Sequence, residues 1–151
     1  MDRFAVIYAT LGLGLMFGLS GVGSVIGLVS GGNAVVGALR KRPEIFGTTL
    51  VLSGLPATQG LYGFVAYIIY QGHVSPSMTL FDAAVVFGAG LGFGVVALFS
   101  AVKMGQVCAA GISSMGSGHN VFGSTLVLAA FPEFYAILGL VAAILMAGLI
   151  K

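Results

Sequence analysis

Between Phe4 and Leu39 the chain carries no Asp, Glu, Lys or Arg, and three further stretches are almost as free of charge: Phe46–Tyr70, Leu80–Met115 and Val121–Ile150. Each meets the requirement of about 20 mostly apolar residues for crossing the hydrocarbon core of a bilayer. Backbone polar groups in lipid must bond within the segment, so helices are expected. The first and third stretches exceed the bilayer and are expected to tilt or to project beyond it. The separators are rich in turn formers: 40–44, which holds Pro43, then 71–77, which holds Gly72 and Pro76, then 116–120, which holds Gly116, Gly118 and Asn120.

Composition closes the alternatives. Only 7% of the residues are charged and 58% are hydrophobic, against about 25% charged in soluble domains. Too few polar residues remain to cover a water-facing core. The net charge of +2 rests partly on Arg40, Lys41 and Arg42, a single loop cluster, which excludes a nucleic-acid surface. Cys108 is the one cysteine, so no intramolecular disulfide exists. The apolar N-terminal stretch outruns a signal-peptide core of roughly 7–15 residues and is expected to be retained. By the bias of Lys and Arg toward the cytoplasm, loop 40–44 is expected inside and both termini outside. Arg3 and Lys151 are expected to reach the headgroups, and Lys103 to snorkel from the third span.

The chain repeats itself. Gly47-Thr48-Thr49-Leu50-Val51-Leu52 returns as Gly123-Ser124-Thr125-Leu126-Val127-Leu128, an offset of 76 (123 − 47). The same offset carries Pro56 onto Pro132, Gly63 onto Gly139, and Gly12, Gly14, Phe17 and Gly18 onto Gly88, Gly90, Phe93 and Gly94. The expected fold is therefore an all-α membrane protein, residues 1–151 forming one domain of two parallel-repeated hairpins, 4–70 and 80–150. Two spans per repeat leave the halves parallel and exclude an inverted-topology transporter. Nine of the 25 glycines fall in the first span and eight in or directly after the third. Spacings such as Gly14/Gly18 and Gly90/Gly94 allow close helix approach, and in a ring these helices belong on the crowded inner circle.

Glu133 lies near the middle of the fourth span, where an ionised side chain costs at least about 2.5–3.5 kcal/mol. Its counterpart in the first half is Ala57 (133 − 76), so one carboxylate serves the whole chain. On the second span Leu55, Thr58, Gln59 and Tyr62 share one helical face and can converge on it. Pro56 and Pro132 lack an N–H, which is expected to free carbonyls near Leu52 and Leu128. Glu44 and Asp82 lie near span ends. His73 and His119 lie in loops without metal-ligand spacing. No Gly-Lys-Ser/Thr phosphate loop is present, so the chain itself is not expected to bind ATP.

The run Leu55-Pro56-Ala57-Thr58-Gln59-Gly60-Leu61-Tyr62-Gly63, with Glu133-Phe134-Tyr135-Ala136-Ile137-Leu138-Gly139 and Ala109-Ala110-Gly111-Ile112, resembles the K-type (c-type) proteolipid of bacterial V-type ATPases. The resemblance covers essentially the whole chain. It implies a closed rotor ring of identical subunits in a bacterial plasma membrane, turned by ATP hydrolysis in a separate soluble head. It also implies a stator subunit whose arginine meets each Glu133, and a central-stalk subunit at the cytoplasmic loops. For sodium-carrying members it implies ligands from Glu133, Thr58, Gln59 and the Leu55 carbonyl, with Tyr62 bonding the carboxylate. Those members add a glutamine on the third span, where this sequence has Met104, with Gln106 two residues on and about 200° round the helix. Pro132, directly before Glu133, is a further feature that bears on the ligand set. The residues leave H+ and Na+ both open. Taken without the resemblance, they also fit a passive cation channel or small transporter made of one four-helix bundle, or a structural assembly factor.

Overall fold

Residues 3–150 are described in a computed structural model, and Lys151 lies outside them. The described residues form helices and turns: α1 (Arg3–Leu39), α2 (Phe46–Gly54), α3 (Ala57–Gln71), α4 (Leu80–Gly116) and α5 (Phe122–Ala147), with a short 3-10 turn at Pro43–Ile45. At 37 residues each, α1 and α4 reach about 55 Å, well beyond the roughly 30 Å of hydrocarbon. α1, α4 and α5 are long and apolar enough to cross a membrane.

The second apolar stretch is not the unbroken helix expected from its composition. It is divided at Leu55 and Pro56, because Pro56 has no N–H to donate and its ring crowds the preceding turn. The chain tightens across the break: Leu55 N–H donates to the Leu52 carbonyl at 3.4 Å and Thr58 N–H to the Leu55 carbonyl at 3.2 Å. The Leu52 carbonyl is therefore not left free, contrary to the expectation from Pro56 alone. Pro132 behaves differently and stays inside α5.

Close contacts fix the directions of the helices. α1 and α4 form the most extensive pair and run parallel, with Gly12 against Phe87 and Gly90, Gly27 against Gly105, and Ala38 against Gly116. Several points of this seam admit only glycine: a Cβ on Gly23 would stand 2.6 Å from the Leu98 Cα, and one on Gly94 2.7 Å from the Leu15 carbonyl oxygen. α3 lies antiparallel to α1, with Gly60 and Gly63 against Ser24 and Ser20. α5 lies antiparallel to α4, with Gly111 against Thr125 and Ser100 against Pro132. α3 and α5 are thereby parallel, joined by Thr58 to Glu133 near one level and by Tyr70, whose hydroxyl donates to the Ala143 carbonyl, near another.

α5 buries a narrow stripe, Thr125, Ala129, Ala136 and Ala143, and exposes Phe131, Phe134, Tyr135, Leu138 and Leu145. An apolar outer surface of that kind suits lipid. Polar devices sit at the ends. Thr79 and Asp82 form a reciprocal capping box at the start of α4. Arg42 donates to Glu44 at 2.8 Å and to the Met115 carbonyl at 3.2 Å, tying the first loop to the last turn of α4.

Candidate functional site

Glu133 stands 11 residues after Phe122 and 14 before Ala147, about 17 and 21 Å from the two ends of α5. A carboxylate at that depth needs partners, and α3 supplies them. The break at Pro56 makes Ala57 the first residue of α3, which puts Thr58 and Gln59 in its first turn, the electropositive end of a helix. Tyr62 follows one turn later on the same face.

The carboxylate accepts three hydrogen bonds: at Oε2 from Thr58 Oγ1 (2.9 Å) and Gln59 Nε2 (2.8 Å), and at Oε1 from Tyr62 Oη (2.5 Å). Gln59 is fully buried, while Glu133, Thr58 and Tyr62 are half-buried. Thr58 Oγ1 also lies 3.0 Å from the Leu55 carbonyl oxygen and 3.2 Å from Gln59 Oε1. A hydroxyl has one proton. Once it is given to Glu133, the Leu55 oxygen, which also accepts the Thr58 N–H, and Gln59 Oε1 each keep a lone pair beside the Thr58 hydroxyl. Such a cluster of oxygens can hold a proton or a small hard cation.

Beside it opens a crevice of about 280 Å³ lined by Leu55, Thr58, Met104, Leu126, Ala129, Ala130 and Glu133. Met104 is buried, its thioether 3.7 Å from Gln59 Nε2. A soft sulfur is a poor partner for a hard cation, so α4 contributes apolar wall here rather than an oxygen. Gln106 is exposed, accepts from Lys103 Nζ at 3.3 Å, and is not among the residues lining the crevice at Glu133. A larger hollow of about 510 Å³ lies between α4 and α5, lined by Val95, Phe99, Lys103, Phe131 and Tyr135 among others. It does not reach Glu133, so the crevice is the hollow that bears on the carboxylate.

Leu55, Thr58, Gln59 and Tyr62, singled out in the sequence, all gather at Glu133. The sequence reasoning missed Ser100. It is buried, accepts from Gln59 Nε2 at 3.2 Å, and donates to the Pro132 carbonyl at 2.7 Å. Two signals mark it: a hydroxyl within an apolar span, and a counterpart at the repeat offset, Ser24 (100 − 76), which accepts the Gly60 N–H at 2.7 Å.

The family described as the C subunit of ATP synthase matches the chain twice, over residues 11–70 and 87–146. The two matches are displaced by 76 residues (87 − 11), the offset of the repeated motifs. The A-type ATP synthase subunit K of Methanocaldococcus jannaschii is 37% identical over 93% of this chain, which spans 62% of that protein's length. The V-type sodium ATPase subunit K of Enterococcus hirae is 34% identical over 93% of this chain and 90% of its own length. The 16 kDa proteolipid of the V-type proton ATPase of Ovis aries is 21% identical over 95% of this chain and 93% of its own.

Proposed function

The chain belongs to the family of ATP synthase C subunits, and on that footing we propose that it is a rotor-ring subunit of a rotary ATPase, carrying Na+ or H+ through the membrane at Glu133. It is an integral membrane protein and not a catalyst by itself. In this reading α2 and α3 together make one span, since residues 46–71 match the 26 residues of α5 in length. Four spans result, with loop 40–44 on the cytoplasmic side of a bacterial plasma membrane and both termini outside.

The observation that carries the proposal is the Glu133 carboxylate, held midway along α5 by Thr58, Gln59 and Tyr62 of the other repeat. Away from water an unloaded carboxylate is costly, so the loaded form is the resting state. Beside a stator subunit's arginine, with water admitted, the balance reverses and the ion leaves. Rotation carries each subunit between the two conditions, and a central-stalk subunit seated on the cytoplasmic loops transmits the turn. Leu55, Thr58, Gln59 and Glu133 contribute the oxygens, and Tyr62 steadies the carboxylate.

The repeat supports assembly of identical copies. Gly90 and Gly94 are buried against α1, whereas their counterparts Gly14 and Gly18 are exposed, with nothing within 4 Å of where a Cβ would stand. Carrying the α1·α4 seam forward by 76 residues lays Gly88 of one copy over Gly14 of the next. Copies added in this register extend the seam, and closure yields a ring. A passive channel made of one chain leaves that glycine face without a function.

The test is Glu133→Gln in the assembled ATPase. Rings should form and ATP-driven cation flux should stop; retained flux overturns the proposal. Labelling of Glu133 with a hydrophobic carbodiimide at constant pH, with and without Na+, then identifies the cargo: protection by Na+ selects sodium, and its absence selects the proton.

A further inference from the structure

Gln59 carries both an acceptor and a donor end, and a cation site works only if the oxygen faces the cation. In the structure the Nε2 end is turned toward α4 and Glu133, and Oε1 toward Thr58. The bond to Glu133 alone cannot hold this orientation through a transport cycle, because that carboxylate changes its occupancy at every loading and release. Ser100 offers a hold that does not change. The carbonyl of Pro132 has no proton to give, so the bond between it and Ser100 Oγ (2.7 Å) must use the serine's proton. Ser100 Oγ can then only accept along its contact with Gln59 (3.2 Å), which demands a donor there. A flipped amide would set oxygen against an oxygen whose proton is already engaged.

We infer that Ser100 is a positioning residue for the cation site: by donating to Pro132 and accepting from Gln59 it fixes which end of the Gln59 amide faces Thr58 and Leu55. This rests on the reading of Glu133 as the cation carrier. The counterpart serine bears on the inference. Ser24 occupies the same place in the first repeat, but it accepts a backbone N–H, from Gly60, and the residue matching Glu133 there is Ala57. The shared role of the two serines is to bond the backbone of the helix beside its proline. Only Ser100 adds a side-chain partner that itself touches a carboxylate. It joins three elements in one chain of bonds: the Pro132 backbone next to Glu133, the α4 hydroxyl, and the α3 amide. It lines the edge of the larger hollow and bonds the backbone beside Glu133 rather than the carboxylate.

The test is a double-mutant cycle between Ser100 and Gln59 in the intact ATPase, read by the rate at which a hydrophobic carbodiimide labels Glu133 at fixed pH. Ser100→Ala should leave a less firmly held carboxyl that labels about tenfold faster, the scale on which loss of an outer partner alters a site. In a Gln59→Leu background the same change should have no more than about a twofold effect, since no amide remains to orient. Labelling of S100A at the wild-type rate overturns the inference, as does an undiminished effect in the Q59L background, which would mean that Ser100 acts through packing alone. Should S100A rings fail to assemble, Ser100→Cys keeps the volume with a weaker acceptor. Its partial effect should likewise vanish with Gln59→Leu, and an equal effect in both backgrounds overturns the inference. Failure of the underlying reading shows separately, as cation flux retained by Glu133→Gln.

Discussion

Replacing Gly90 by alanine should destabilise the chain, while the same change at Gly14 should spare the chain and break the ring. A Cβ on Gly90 would overlap the Gly12 carbonyl and stand 3.0 Å from the Gly12 Cα. These are backbone atoms and cannot swing aside, so α1 and α4 must part along a seam they share for most of their length. Overpacking of this kind costs about 1–3 kcal/mol. Taking the upper end, and crediting alanine with about 1 kcal/mol of helix preference over glycine, leaves a net loss of about 2 kcal/mol. At Gly14 nothing lies within 4 Å of the added atom, so the isolated chain changes by between zero and a gain of about 1 kcal/mol. In the proposed ring Gly14 would take the part of Gly90 against the neighbouring copy, and the clash would reappear there. Unfolding of the detergent-solubilised monomer, followed by circular dichroism in rising denaturing detergent, measures the first effect; native electrophoresis of the rings measures the second. Wild-type stability for Gly90→Ala would refute the packing argument, and wild-type rings from Gly14→Ala would refute the assembly register.

Three further outcomes follow from the loops and caps. Thr79→Ala removes one half of the capping box with Asp82 and should cost about 1 kcal/mol in the same unfolding assay. Gly118 has φ of +99°, a conformation that side chains rarely adopt, so Gly118→Ala should cost about 1–3 kcal/mol and increase proteolytic nicking of the 117–121 turn. Glu44 is held below the ordinary carboxylate range by a backbone hydrogen bond and by the Arg42 guanidinium. A lowered carboxylate favours the folded loop above its unfolded pKa and loses that contribution as pH falls through the lowered value. Hydrogen-exchange protection of residues 40–45, taken relative to the intrinsic rate at each pH, should therefore fall as pH drops through that lowered value, and Glu44→Gln should abolish this response.

Much of the fold was legible because lipid permits few solutions. The ends of α1 and α4 fall within a residue of the limits drawn from the lack of charge, and the 76-residue offset alone pairs the equivalent positions of the two hairpins. The pairing of Thr58, Gln59 and Tyr62 with Glu133 followed from helical spacing and equal depth. Other features depend on geometry that spacing does not encode. Pro56 breaks its helix and Pro132 does not, although both sit in similar apolar runs. One difference visible in the structure is that Ser100 of α4 binds the Pro132 carbonyl, whereas Ser24 of α1 takes the Gly60 N–H. Ser100 itself escaped notice because a lone serine in a membrane helix usually bonds its own backbone one turn earlier, as Ser20 and Ser30 do here.

The central claim is that Glu133 is the group the cation must occupy. It is tested most directly by labelling the wild-type ATPase with a hydrophobic carbodiimide, locating the adduct by mass spectrometry, and following ATP-driven cation flux against the fraction of modified chains. The account predicts modification confined to Glu133 and flux lost before all copies in a ring are labelled, since one blocked subunit halts the rotation. Undiminished flux with Glu133 fully modified would contradict it.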